Sequence, residues 1–296
     1  MRIFITGATG FIGSAVVKEL ISAGHEVIGL CRSDDKAAAL SGAGATVHRG
    51  ALEDTASLQA GAARADGVIH LAFNHDFSRF KANCEDDRRV IEALGAALAG
   101  TAKPLIVTSG AALTRPQPGE PARETDPVIS SSVIPRAASE EAAATVAADG
   151  VNVSVMRLPQ VHDTARQGLI TYLIAMAREQ GRLACIGAGD MRWPAAHVSD
   201  VARLYRLAIE KAEPNAKYHA VAEEGVAMRD IVETLGRRLA LPVQSIAASE
   251  AEACFGWLAH FVTRDMPASS ERTRRKLGWQ PTGPGLLEDL ERLAEM

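Results

Sequence analysis

The chain has 296 residues, 47% of them apolar, 4% aromatic and 23% charged, with a net charge of −4 and a pI near 6.1. That balance gives no expectation of nucleic acid or an anionic membrane as a partner, and no apolar run approaches the roughly 20 residues of a membrane span. The length permits a large core, as one α/β unit or as two domains.

The first predicted strand, Ile3 to Thr6, leaves no room before it for a signal peptide. Gly7, Gly10 and Gly13 follow and open a helical pattern. A strand turning into a helix aims free backbone N–H groups and the positive dipole end at one spot, where a phosphate can sit. Gly7 permits the turn, Gly10 lets a pyrophosphate approach the backbone, and Gly13 lets helix and strand pack closely. Val16, Val17, Leu20 and Ile21 form the inner face, Lys18 and Glu19 the outer, and Gly24 the stop. With a second strand over 25–31, the pattern predicts a dinucleotide site.

That second strand ends at Gly29-Leu-Cys-Arg-Ser33, where a dinucleotide's adenosine ribose would lie. An acidic residue there accepts from the ribose 2′-OH, whereas a cation pairs with a 2′-phosphate. Arg32 and Ser33 therefore predict NADP(H) in preference to NAD(H); Asp34 and Asp35 would favour NAD(H) if the strand ran further. A short helix over 36–40, a strand over 45–48, and apolar strands over 67–73, 104–109 and 151–157 continue the alternation. Six such units predict an α/β fold, a Rossmann-type doubly wound parallel sheet with ligands across the C-terminal strand ends.

Beyond residue 160 the alternation loosens. Helices are predicted from Ser199 or Asp200 (Val201, Leu204, Tyr205 and Ala208 inward), from Met228 to Ala240, from Ser269 or Ser270 to Gly278, and along Leu286, Leu287, Leu290 and Leu293. The expected organisation is a nucleotide-binding core over 1–163, with 195–222 returning to it, and a smaller substrate lobe over 164–194 and 223–296. The distant cysteines 31, 84, 185 and 254 read as reduced thiols of a cytoplasmic protein, three of them packing residues. No cluster has metal-ligand spacing.

Taken in order, Thr6-Gly-Ala-Thr-Gly-Phe-Ile-Gly13, Val68-Ile-His-Leu-Ala72, Val107-Thr-Ser109, Arg157-Leu-Pro159, His197-Val-Ser-Asp200 and Lys276-Leu-Gly-Trp-Gln-Pro281 resemble the extended short-chain dehydrogenases/reductases, the NAD(P)-dependent epimerase/dehydratase group. The resemblance spans essentially the whole chain. It implies that Gly7, Thr9, Gly10, Phe11, Ile12 and Gly13 wrap the pyrophosphate and that Arg32 meets the adenosine end. Leu71, Ala72 and Phe73 would line the path to the nicotinamide, with Leu158 and Pro159 flanking its ring. The family's adenine-contacting aspartate, just before Leu52, is Ala51 here.

The chain departs from the family at its catalytic dyad, a tyrosine four residues before a lysine. Tyr172, Tyr205 and Tyr218 are followed at that spacing by Met176, Ile209 and Ala222. Aligning Ser139-Glu140 with the family's Ser-Lys places Arg136 at the tyrosine position and Glu140 at the lysine position, as in an atypical branch of the group.

Ser109, ending the fifth strand, is expected to face the cofactor and bond the reacting oxygen. Arg136 begins a helix predicted over 136–148, at the end where the dipole disfavours a cation. An anion beside it would explain that: Glu140 or Glu141, a cofactor phosphate, a substrate carboxylate or a developing alkoxide. With a pKa above about 12, it can steady an oxyanion but not act as an acid. His75, in Phe73-Asn-His-Asp-Phe77, is a candidate for the proton, with His162 behind it; His70 and His197 read as packed structural residues. Arg192-Trp193 and Phe255, Trp257 and Phe261 are candidate pocket residues, though aromatics there are more often core.

The expected function is an NADP-dependent oxidoreductase of the alcohol–carbonyl class acting on a small organic or sugar-like molecule, with Ser109, Arg136 and His75 at the site. The alternatives are a non-catalytic NADP(H) sensor and a nucleotide-sugar epimerase or dehydratase. A homodimer is compatible with the sequence.

Overall fold

The computed structural model describes residues 1–117 and 119–294. Strand β1 (Arg2–Thr6) is an interior strand of a seven-stranded sheet, and its Ile3, Phe4 and Ile5 are fully buried because both faces are covered. Its neighbours in sequence are α1 (Phe11–Ser22), β2 (Glu26–Cys31), α2 (Asp34–Gly42), β3 (Thr46–Arg49), α3 (Thr55–Ala63), β4 (Gly67–His70), α4 (Phe80–Leu98), β5 (Leu105–Gly110), α5 (Ala138–Ala148) and β6 (Val153–Leu158). After β7 (Gln160–His162), α6 (Ile170–Gln180), β8 (Leu183–Ile186) and β9 (Arg192–His197), helix α7 (Val198–Lys211) leads into β10 (Lys217–His219). The chain closes with β11 (Glu223–Ala227), α8 (Met228–Leu239), β12 (Val243–Ile246), α9 (Ala251–Phe255), α10 (Ala259–Val262), α11 (Glu271–Leu277) and α12 (Leu286–Glu291).

The sheet runs β3-β2-β1-β4-β5-β6-β10, parallel throughout, with Ile3 paired to Val27 on one side and Gly67 on the other. Reversal of strand order at β1 and β4 makes the crevice where ligands of doubly wound sheets bind. Alternation divides the core in two. Ile3, Ile5, Ile106 and Met156 pack on α1 and α7, while Phe4, Val68, Leu105 and Val107 pack on α3, α4 and α5. A separate apolar cluster, around Trp193, Ile174, Ile231, Leu235 and Leu290, joins α6, α8 and α12 to the smaller sheets.

Four expectations change. The sheet has a seventh strand, β10. The apolar run over 67–73 is strand only to His70, and Leu71 to Phe73 continue as extended chain across the strand end. Arg136 lies in a 3-10 turn, Pro135–Ala137, ahead of α5, because the proline at its first position starts a tighter turn. Helix α7 is capped by His197, whose ring Nδ1 accepts from the Ser199 N–H, instead of starting from a serine or aspartate cap. Cys31, Cys84 and Cys185 are buried and Cys254 is half-buried, all as free thiols. No described helix is long and apolar enough to cross a membrane, and no metal-binding cluster occurs among the described residues.

Candidate active site

Gly7 sits at φ +73°, and a Cβ there would lie 2.8 Å from the Ala72 nitrogen; a Cβ on Gly13 would lie 2.0 Å from the Gly7 carbonyl oxygen. Strand end, helix start and the 71–72 segment are thus pressed together with no space for a side chain. Gly10, the N-cap of α1, is exposed, and its missing Cβ would meet only the Gly7 carbonyl oxygen within 4 Å. The helix has no side-chain cap and no acidic residue in its first turn, so its first N–H groups are open to an anion. These residues fit a pyrophosphate.

β2 does end at Cys31, leaving Arg32 and Ser33 exposed just beyond it. Asp34 and Asp35 belong to the first turn of α2, where Asp34 pairs with Arg49. Among the described residues Arg32 makes no ion pair. Leu52 lies half-buried at the edge of the α3–α4 core, and Leu158 and Pro159 are half-buried at the end of β6.

The anion beside Arg136 is neither Glu140 nor Glu141. Its Nη1 donates to Asp87 Oδ2 at 3.1 Å and its Nη2 to the Thr108 carbonyl at 3.1 Å, with Ser139 also bonded to both Arg136 and Asp87. The guanidinium carbon stands 4.3 Å from the centroid of the Phe73 ring, a cation–π contact. Asp87 also meets His70 Nε2 at 2.9 Å, and His70 Nδ1 lies 2.7 Å from Thr6 Oγ1, which accepts from the Ala72 N–H. One tautomer satisfies every partner: Thr6 donates to Nδ1, and Nε2–H donates to Asp87. Burial raises the Asp87 pKa, but the Arg136 charge and His70 outweigh it and hold it at about 2.

His75 is exposed beside this group, its ring 5.4 Å from that of Phe73. Desolvation, then the nearby Arg136 charge, lower its pKa against a raising contact from the Phe73 carbonyl, so it is neutral at pH 7.

Ser109 is placed differently from expectation. It shares the face of Leu105 and Val107, is 4% exposed, and donates to Glu140 Oε1 at 2.7 Å. Glu140 also receives Arg157 in a two-pronged contact at 2.9 and 2.9 Å, and Arg157 reaches His219 and the Glu124 carbonyl. Desolvation lowers the His219 pKa to about 4. Glu141 is occupied by Arg88 and Ser131. His162 is sealed in the interior, Nδ1 to Asp289 at 2.6 Å. Trp193 and Phe255 are core, at 0% and 3% exposure, not pocket residues. Tyr205 on α7 and Tyr218 on β10 are buried in the core; Tyr172 is exposed.

Asp87 stands in the charged run Glu85-Asp86-Asp87-Arg88-Arg89, whose composition gives no local cue to a buried carboxylate. The available signal was its register: Cys84, Asp87, Val90, Ile91 and Leu94 share the buried stripe of α4.

The chain matches the NAD dependent epimerase/dehydratase profile over residues 3–222. It is 46% identical to an uncharacterized protein of Schizosaccharomyces pombe over 98% of both chains. A 3-diazoavenalumate denitrifying reductase of a Streptomyces species is 28% identical over 99% of this chain and 100% of its own. The structure of dTDP-glucose 4,6-dehydratase from Streptomyces venezuelae, solved with NAD, superposes with a TM-score of 0.78 at 19% identity, covering 99% of this chain and 95% of the other.

Proposed function

The chain belongs to the NAD dependent epimerase/dehydratase family, and from that premise we propose that it is an NADP(H)-dependent oxidoreductase. It would move hydride to or from the carbonyl or alcohol carbon of a small organic molecule. The observation that carries the reading is Arg136: a guanidinium at the cofactor end of the sheet, fixed by Asp87 and the Thr108 carbonyl, placed over the Phe73 ring and 18% open beside His75. A nicotinamide dinucleotide fits the uncapped start of α1, and relatives with reductase activity and with bound NAD support that class of cofactor. Arg32, unpaired among the described residues at the end of β2, supports NADP(H) over NAD(H). In this reading residues 1–163 and 195–222 carry the cofactor, and 164–194 and 223–296 the substrate side.

When bound, the nicotinamide supplies or accepts the hydride. Everything else falls to the chain. Gly7 to Gly13 hold the pyrophosphate, and Arg32 holds the 2′-phosphate. Arg136 stabilises charge on the carbonyl oxygen and cannot give up its own proton. His75, neutral at pH 7, relays a proton between water and that oxygen. Ser109 serves this site only through Glu140, steadying the first turn of α5 next to Arg136.

A second reading, a coenzyme-sensing protein without turnover, draws on two facts: Asp87 already balances Arg136, and the Ser109 hydroxyl is engaged by Glu140. Calorimetry with NADPH and NADH, followed by NADPH absorbance against aldehydes and ketones, decides between them. Tighter NADPH binding with steady oxidation is expected. Equal or tighter NADH binding would remove Arg32 from its role, and tight binding with no oxidation above buffer would leave the sensor.

A further inference from the structure

Of the chain's seven Phe, three Trp and three Tyr, six side chains gather in one place: Phe73, Phe77, Phe80, Tyr172, Trp257 and Phe261. They come from three separate stretches, the β4–α4 connection with the first residue of α4, α6, and the 256–262 segment. Phe77 stacks on Trp257 with centroids 4.2 Å apart and planes 14° apart, and Tyr172 stands edge-on to both at 5.7 and 5.2 Å. Phe80 and Phe73 continue the contacts at 5.8 and 6.3 Å, and Phe73 is the ring that carries Arg136.

Packing between parts of the chain would bury such rings, as Trp193 and Trp279 are buried at 0% and 1% exposure. Here Tyr172 and Trp257 remain 37% and 38% exposed. Leaving large aromatic faces in water is unfavourable unless something covers them. These faces continue, ring to ring, to the guanidinium and imidazole of the hydride site. Exposed aromatic faces of this kind favour contact with another planar, weakly polar group.

We propose that this aromatic corner is the substrate wall and that the substrate is an aromatic carbonyl compound, an aryl aldehyde or aryl ketone; this rests on the oxidoreductase reading above. The aryl group would lie against Tyr172 and Trp257, with the carbonyl directed along Phe77 and Phe73 to Arg136. In reduction the carbonyl carbon gains a hydride from NADPH, the C=O π pair moves onto oxygen, and oxygen takes a proton from water through His75. An alcohol forms and NADP⁺ remains.

Steady-state NADPH consumption with benzaldehyde and with cyclohexanecarbaldehyde tests this, since the two differ chiefly in the planarity of the ring. Benzaldehyde should show a kcat/KM about tenfold higher, the worth of one good aromatic stacking contact, although conjugation makes its carbonyl the less electrophilic. Trp257→Leu and Tyr172→Leu, both at partly exposed positions, should each narrow that ratio toward one. A ratio near one in the unaltered protein, or the same ratio in both variants, would overturn the aromatic wall and leave the oxidoreductase reading standing. Quenching of tryptophan fluorescence by nitrobenzyl alcohol, lost in Trp257→Leu, reports binding apart from turnover. Quenching without consumption of either aldehyde would keep the wall and sink the oxidoreductase reading; neither quenching nor consumption would sink both.

Discussion

Two guanidinium–carboxylate pairs flank the start of α5. Arg157 and Glu140 are sealed, at 0% and 2% side-chain exposure, and extend through Ser109 and His219 into a closed polar network. Arg136 and Asp87 have the same chemistry, but Arg136 is 18% open and its contacts run to Thr6 and the nucleotide turn. Two-pronged geometry offsets the desolvation of the sealed pair and holds helix to sheet. The open pair leaves one face of its cation available. Two pairs of the same chemistry therefore serve different ends, and solvent access is what separates them.

The strongest way to break the comparison is to cut the sealed pair. Arg157→Met strands the Glu140 carboxylate and should lower the unfolding free energy by about 3–5 kcal/mol, read from the urea midpoint. A smaller loss than Arg136→Lys produces would erase the distinction. Arg136→Lys keeps the charge but loses the planar fork; kcat/KM should fall by about 10²–10³-fold, with little change in NADPH affinity. The reverse pattern would make Arg136 a phosphate ligand.

Acid sharpens the contrast. His219 and His162 have folded pKa values lowered chiefly by burial, His219 to about 4. Below about 6.5 the unfolded chain binds protons that the fold refuses, so this contribution is present above about pH 6.5 and is lost as pH falls toward 4. Each excluded proton steepens the decline by about 1.4 kcal/mol per pH unit. Asp87, held at about 2, stays charged throughout that window. Thermal unfolding between pH 7 and 4 reads this directly, and a profile shallower in His219→Gln than in the unaltered protein would assign the difference to the sealed network. The smallest effect is expected at a third arginine, unpaired among the described residues: Arg32→Ser should weaken NADPH binding about tenfold and leave NADH binding unchanged, by calorimetry.

The central sheet was legible because β1 and the glycines after it carry their reasons locally, in apolar alternation and in turns that exclude a Cβ. β10 was not: it has three residues, Lys217 to His219, and is a strand only because β6 lies beside it. The same division runs through the site. Arg136 stood out as a cation in an unfavourable place, yet its partner is 49 positions away on α4, set by topology and not by spacing. Ser109 occupied the expected position, but strand alternation turned its hydroxyl to Glu140. Trp257 was visible as a candidate, while Phe77 and Tyr172, which complete its surroundings, come from other segments.

The absence of a side chain at Gly7 has a kinetic consequence. With Gly7 packed directly on Leu71 and Ala72, a molecule seated on the glycine turn would bear on the segment that leads to Phe73, one residue on, and to the cation over its ring. On the proposed reading this makes catalysis sequential: coenzyme enters first and leaves last, and each ligand tightens the other's hold by the same factor. Product-inhibition patterns would then be competitive only between the two coenzyme forms.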